Sequence, residues 1–186
     1  MQALQNHMTR DEYIAFDKAA TEKHQFYKGE IFAMSGGSFN HARIGTNTTS
    51  QLQARLPSEC QSMNSDMRVS TPTGLDTYPD ASVYCGDPEL TDNNHTLLNP
   101  VLIVEVLSPS TRNYDQGDKF THYRSISNLQ DYLLIESTFM HISHYQRQGE
   151  HEWLLREYQH PEDELTLTPT QLKISVSAFY EKVKFE

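Results

Sequence analysis

The chain has 186 residues and a formal net charge of −10, with its 37% hydrophobic residues spread along the whole length. That length suits one domain, residues 1–186, able to bury its own core, and ten Tyr with eight Phe supply bulky core material and argue against disorder. The acidity argues against a protein that coats DNA through an extensive basic surface. It leaves room for an enzyme that reaches nucleic acid through a local patch and bound cations.

No apolar run approaches the length of a membrane span, and the first thirty residues are polar, unlike a secretory leader; a cytoplasmic location is expected. Cys60 and Cys85 stand apart with no C-x-x-C spacing and read as reduced core thiols.

Taken in order, Thr9-Arg10-Asp11-Glu12 is a capping box that opens a short amphipathic helix to about Ala20. His24 to Met34 reads as strand, turn at Lys28-Gly29, then strand, with Glu30 heading the second arm; a break at Ser35-Gly36-Gly37-Ser38 follows. Ile44, Thr48, Leu52 and Leu56 recur at helical spacing and predict a helix over 38–56, with Asn40 and His41 in its first turn, where anions are favoured. Cys60 to Ser70 reads as one strand, Asp80 to Cys85 as another, and 86–99 as an exposed loop.

Asn99 to Ser108, NPVLIVEVLS, is the stretch around which the rest is organised. An apolar, β-branched run of this kind is a central strand buried on both faces. It ends on Glu105, an ionisable group that does not belong in such a place without a partner. A helix is predicted over 112–127, with Asp115, Asp118 and Lys119 on its polar side. Gln130 to Glu136 returns to strand, and a hairpin is expected around Gln148-Gly149. A further strand pair or loop spans 165–174, and 177–182 is a terminal helical turn. Strands and helices alternate in the middle, so the class is α/β (α+β mixed sheet).

Asp80 and Glu105, at the ends of neighbouring strands, are two carboxylates able to share one Mg²⁺ or Mn²⁺, with the Val106 carbonyl as a further ligand and Lys119 as a cation for developing phosphate charge. The residues alone leave this reading level with a plain one, in which Asp80 caps a strand and Glu105 and Lys119 form a buried ion pair.

Pro79-Asp80, then Glu105-Val106-Leu107-Ser108-Pro109-Ser110-Thr111, then Asp115 and Lys119, resembles a bacterial family classed as endonucleases, the Uma-two type of the PD-(D/E)XK superfamily. The likeness extends to Gly29-Glu30 with Met34 and Ser35, to Asn40-His41, Tyr123-Arg124 and Gln130-Asp131-Tyr132-Leu133-Leu134, and covers roughly residues 9 to 160. The resemblance implies a restriction-endonuclease-like core with flanking helices, here with a C-terminal β-hairpin extension, and a divalent metal. It implies that Asp80 and Glu105 are ligands and Lys119 the catalytic lysine, with Glu30 and His41 at accessory active-site positions. DNA is the implied partner. A homodimer is expected because compact nucleases often pair to address two strands, although no stretch marks an interface for it.

One position departs from the superfamily pattern. The usual lysine stands two residues after the acid, on the same face of the strand; here that residue is Leu107. Lys119 substitutes only if the following helix turns its polar face back to Asp80 and Glu105. Two other readings stay open: a non-cleaving binding or regulatory module on the same fold, and a metal-assisted hydrolase of small phosphate esters.

Overall fold

The computed structural model describes residues 3–4, 7–34 and 36–185; Ser35, part of the expected break, lies outside them. Helix α1 (Arg10–Ala19) starts on the expected capping box, with the Thr9 N–H donating to the Glu12 carboxylate at 2.7 Å and the Glu12 N–H to Thr9 Oγ1 at 3.3 Å. Strands β1 (His24–Tyr27) and β2 (Glu30–Ala33) form the expected hairpin, closed by Lys28 at φ 48° and Gly29 at φ 88°. Two left-handed residues match the twist of the strands they join. Helix α2 (Phe39–Arg55) is capped by Ser38 and buries Ile44, Thr48 and Leu52.

The single strand expected over 60–70 is two, β3 (Cys60–Asn64) and β4 (Arg68–Ser70), which enter different sheets. Asn64 Oδ1 accepts from the Asp66 N–H at 3.0 Å and turns the chain between them. β5 (Leu75–Thr77) precedes β6 (Ala81–Cys85). The expected exposed loop holds β7 (Leu90–Thr91) and β8 (Thr96–Leu97), with Thr96 and Leu97 buried. After β9 (Leu102–Leu107) comes a helical segment, α3, over 112–123, shorter than predicted and interrupted by a π-helical turn, Asp115–Lys119. Then follow β10 (Asp131–Glu136), β11 (Ile142–Arg147), β12 (Trp153–Tyr158), β13 (Glu164–Thr166), β14 (Lys173–Ser175) and the helical turn Val176–Phe179.

Among the described residues these strands form a mixed sheet of order β12-β11-β10-β9-β6-β3, a second of order β2-β1-β5-β4-β8-β7, and the separate C-terminal hairpin β13-β14. β9 is central, parallel to β10 and antiparallel to β6, and all six of its residues are buried. The period of two divides them. Leu102, Val104 and Val106 enter the core under α2 and the C-terminal hairpin. Ile103 and Leu107 enter the opposite core, with Phe120 and Tyr123 of α3 and Val69 and Leu97 of the second sheet. Glu105 shares the parity of Ile103 and Leu107, so its side chain leaves on the α3 face.

Cys60 and Cys85 are not free thiols. They stand directly opposite one another on β3 and β6 and are joined by a disulfide. Spacing along the chain reveals only locally closed pairs, whereas antiparallel pairing brings distant residues face to face. Among the described residues no helix is long and apolar enough to cross a membrane.

Candidate active site

Glu105 reaches the α3 face at a place where that core carries polar groups. Its Oε1 accepts from the Tyr123 hydroxyl at 2.7 Å and lies 2.8 Å from Lys119 Nζ, which is also 3.3 Å from Asp115 Oδ1. All three charged side chains are 5% exposed. The wide π-turn carries Asp115 and Lys119 on its strand-facing side, and the Tyr132 hydroxyl from β10 donates to the Asp115 carbonyl at 2.9 Å. Wide turns of this type concentrate at functional sites. Lys119, on the helix packed against this strand face, thus stands beside Glu105, while Leu107, two residues further along the strand, is core hydrocarbon.

Asp80 stands in the bend between β5 and β6. The β6–β9 pairing ends at Ala81↔Val104, so the Val106 N–H finds no backbone partner there and donates to Asp80 Oδ2 at 2.7 Å. In an extended strand the carbonyl of a residue points to the same side as its N–H, which turns the Val106 oxygen toward Asp80 as well. His41, in the first turn of α2, brings Nε2 to 3.5 Å from Asp80 Oδ2. A Cβ at Gly37 would collide with the His41 ring, so the bare glycine backbone is what lets the imidazole lie there. His41, Asp80, Tyr78, Gly37 and Met34 line a cleft of about 1020 Å³.

Burial pushes the Glu105 carboxyl up to about 8, with Lys119 opposing the shift and Asp115 and Asp80 adding to it. Burial also raises Asp80, against the opposing pull of His41, the Val106 N–H and Lys119. For Lys119, burial works against the charge, but Glu105 and Asp115 outweigh it and hold the ammonium above its ordinary range. Burial raises the Tyr123 hydroxyl too, with Glu105 next in effect, so it stays a donor.

Asp80, Glu105, Lys119, Val106 and His41 are brought together; Glu30 is not. It is exposed at the turn end of β2, while Ala33 and Met34 at the other end line the cleft beside Asp80. Three residues of strand put Glu30 roughly 10 Å from that end. Tyr123 was missed as a polar partner because its spacing fits an apolar helix face. Its offset of four from Lys119 and eight from Asp115 was the available signal.

The donor set fits a hard divalent cation. Asp80 Oδ1 and Glu105 Oε2 have no hydrogen-bond partner among the described residues, and the Val106 carbonyl is a third oxygen. No cluster of three or more His, Cys, Asp or Glu is found among the described residues, and Mg²⁺ is commonly held by only one or two carboxylates, keeping its waters.

Residues 10–178 match the family model Uma2, described as "Putative restriction endonuclease". "Uncharacterized protein slr1290" of Synechocystis sp. is 37% identical over 180 residues, covering 96% of this chain and 94% of that one. "Uncharacterized protein sll1609" of the same organism is 39% identical over 153 residues, covering 81% and 86%. The crystal structure of "a putative nuclease belonging to DUF820" from Anabaena variabilis has a TM-score of 0.78 at 17% identity, over 95% of this chain and 99% of that one. That likeness shows the fold: the mixed α/β, restriction-endonuclease-like architecture expected from the sequence.

Proposed function

The chain belongs to the Uma2 family of restriction-endonuclease-like proteins, and from that premise we propose that it is a divalent-metal-dependent endonuclease hydrolysing phosphodiester bonds in DNA. The observation that carries this reading is Asp80, which takes the Val106 N–H at 2.7 Å on one oxygen and has no hydrogen-bond partner for the other among the described residues. It opens to a cleft and lies within electrostatic reach of Lys119 beside Glu105.

In this reading Asp80, Glu105 and the Val106 carbonyl would hold Mg²⁺ or Mn²⁺, which would make water more acidic and offset charge on the phosphoryl oxygens. Hydrolysis forms a P–O bond to water, whose proton passes to solvent in the cleft, and breaks the bond to the leaving sugar oxygen, which takes a proton from solvent. Lys119, held protonated by Glu105 and Asp115, is no base. It donates to the attacking water or to a non-bridging oxygen as charge grows there. Asp115 and Tyr123 fix Lys119 and Glu105 before the substrate arrives. His41 orients Asp80 and faces the cleft through which the phosphate enters. Glu30 has no part in the proposed site.

One observation favours a second reading, the non-cleaving binding module: Glu105 is already compensated by Lys119 and Tyr123, as a structural acid is. Nicking of supercoiled plasmid and cleavage of single-stranded DNA in Mg²⁺ or Mn²⁺ separate the two. Activity lost in both Asp80→Ala and Lys119→Ala supports the nuclease. Activity that survives both substitutions sinks the site, and intact DNA in the presence of bound metal favours the module.

A further inference from the structure

Three exposed phenylalanines lie on segments that neighbour this site and are tied to one another. Phe39, at the start of α2, is 73% exposed; Phe139, beyond the end of β10, is 48% exposed; Phe185, in the C-terminal segment, is 37% exposed. The tie is Asn40, next to Phe39, whose Nδ2 donates to the carbonyl of Lys184, next to Phe185, at 2.9 Å and to that of Ser137, two residues before Phe139, at 3.5 Å. The group adjoins the catalytic residues by two routes. Asn40 precedes His41, which faces Asp80. The Ser137 hydroxyl donates at 2.6 Å to the carbonyl of Leu107, two residues beyond Glu105.

Cations accompany the rings. The Arg43 guanidinium lies 5.7 Å from the centre of Phe39, one helical turn away, and Arg112 lies 5.8 Å from Phe139. Arg112 is tied to Glu136, whereas Arg43 and Lys184 make no ion pair among the described residues. On a chain of net charge −10, the unpaired Arg43 over an exposed ring, with Lys184 next in sequence to Phe185, is a local exception to the overall field. Large apolar side chains rarely stand exposed together without a partner. These rings, interleaved with guanidinium groups, match one occupant best: a polyanion with unpaired flat bases.

We propose that Phe39 and Phe139, with Phe185 at their side, form a stacking platform for a single-stranded segment of nucleic acid. Arg43 and Lys184 contact its phosphates and guide the strand past His41 to Asp80. The inference rests on the nuclease reading and narrows its substrate. A paired duplex hides the faces of its bases and gains nothing from the rings, so the site selects unpaired or frayed strands over intact duplex.

The test is fluorescence anisotropy of labelled oligo-dT and of a blunt duplex of equal length, in EDTA so that nothing is cleaved. The wild type binds the single strand more tightly. Phe39→Ala and Phe139→Ala each weaken that binding roughly tenfold, while duplex affinity and melting temperature stay unchanged because both rings are exposed. Phe39→Tyr retains binding and Phe39→Leu does not, which separates stacking from simple apolar contact. Equal affinity for duplex, or indifference to both alanine variants, overturns the platform and leaves the nuclease reading intact if metal then supports duplex cleavage. Failure to bind or cleave any nucleic acid overturns both. A dimer in sedimentation that Phe39→Ala dissolves overturns the platform in favour of a second copy of the chain.

Discussion

Two acids, the buried Asp17 and the half-buried Asp80, differ in how far the protein saturates them. Asp17 is closed. Its Oδ1 accepts from the His24 N–H at 3.0 Å and faces His24 Nδ1 at 3.3 Å; its Oδ2 accepts from Arg68 at 2.8 Å and from the Tyr78 hydroxyl at 2.5 Å. Both oxygens are saturated by protein, and the network ties α1 to β1, β4 and the segment before Asp80. Asp80 is open. One oxygen takes the Val106 N–H and faces His41, the other has no partner among the described residues, and the side chain is 21% exposed to a cleft. Saturation, more than burial or charge, separates an acid that holds the fold from one left available to a ligand.

The largest effect follows from breaking the closed acid. Asp17→Ala leaves Arg68 charged and buried with only the longer contact to Asp92 at 3.9 Å, and denaturant melts should show a loss of about 3 kcal/mol. Asp80→Asn should leave stability within about 1 kcal/mol of wild type or above it, because burial raises Asp80 and so opposes its charged form. Equal losses at the two positions would erase the distinction.

Next in size, Lys119→Met should reduce metal-dependent cleavage about 10²–10³-fold, the scale of one lost transition-state donor. Gly37→Ala acts at one remove: the added Cβ displaces the His41 ring. Its cleavage rate should fall about tenfold, close to 1.4 kcal/mol in barrier, and His41→Ala should add nothing further to it. Additive losses would show that the glycine serves something other than His41.

The smallest effect lies at the rim of the closed network, where Arg10 bridges Asp76 and Asp92. The bond from Arg10 holds the Asp92 carboxyl below its ordinary 3.8. A depressed acid adds stability above its unfolded value and loses it as pH falls through the folded one. Wild type should therefore lose stability below about pH 3.8 more steeply than Asp92→Asn, which leaves the Arg10–Asp76 pair in place. The Arg10 side chain is 35% exposed, which limits the contribution of Asp92 to about 1 kcal/mol or less. Thermal melts across that range read the difference in slope.

The sequence made the sheet around β9 legible and much of the second sheet illegible, for a physical reason. β9 announces itself because six buried residues in a row allow no other reading. α1, α2 and the first hairpin carry caps, periods and a Lys-Gly turn. β5, β7 and β8 are two or three residues long, too short to show a period, and they bury polar groups such as Asp76, Thr77 and Thr96 that find partners only after folding. The break inside 60–70 was marked by Asn64-Ser65-Asp66, a turn triplet masked by the alternation around it. The cysteine pair and the position of Glu30 share one cause: both are set by strand pairing, which local spacing does not encode. Parity placed Glu105 on one face of β9, but whether Lys119 met it depended on how α3 packs, with a π-turn that no residue pattern foretells.

The most direct test of the open-acid account is an anomalous difference map from crystals soaked in Mn²⁺. The account predicts a peak bonded to Asp80 and Glu105 and none at Asp17, whose oxygens are already taken. A peak at Asp17, or none at Asp80 under saturating Mn²⁺, would contradict it.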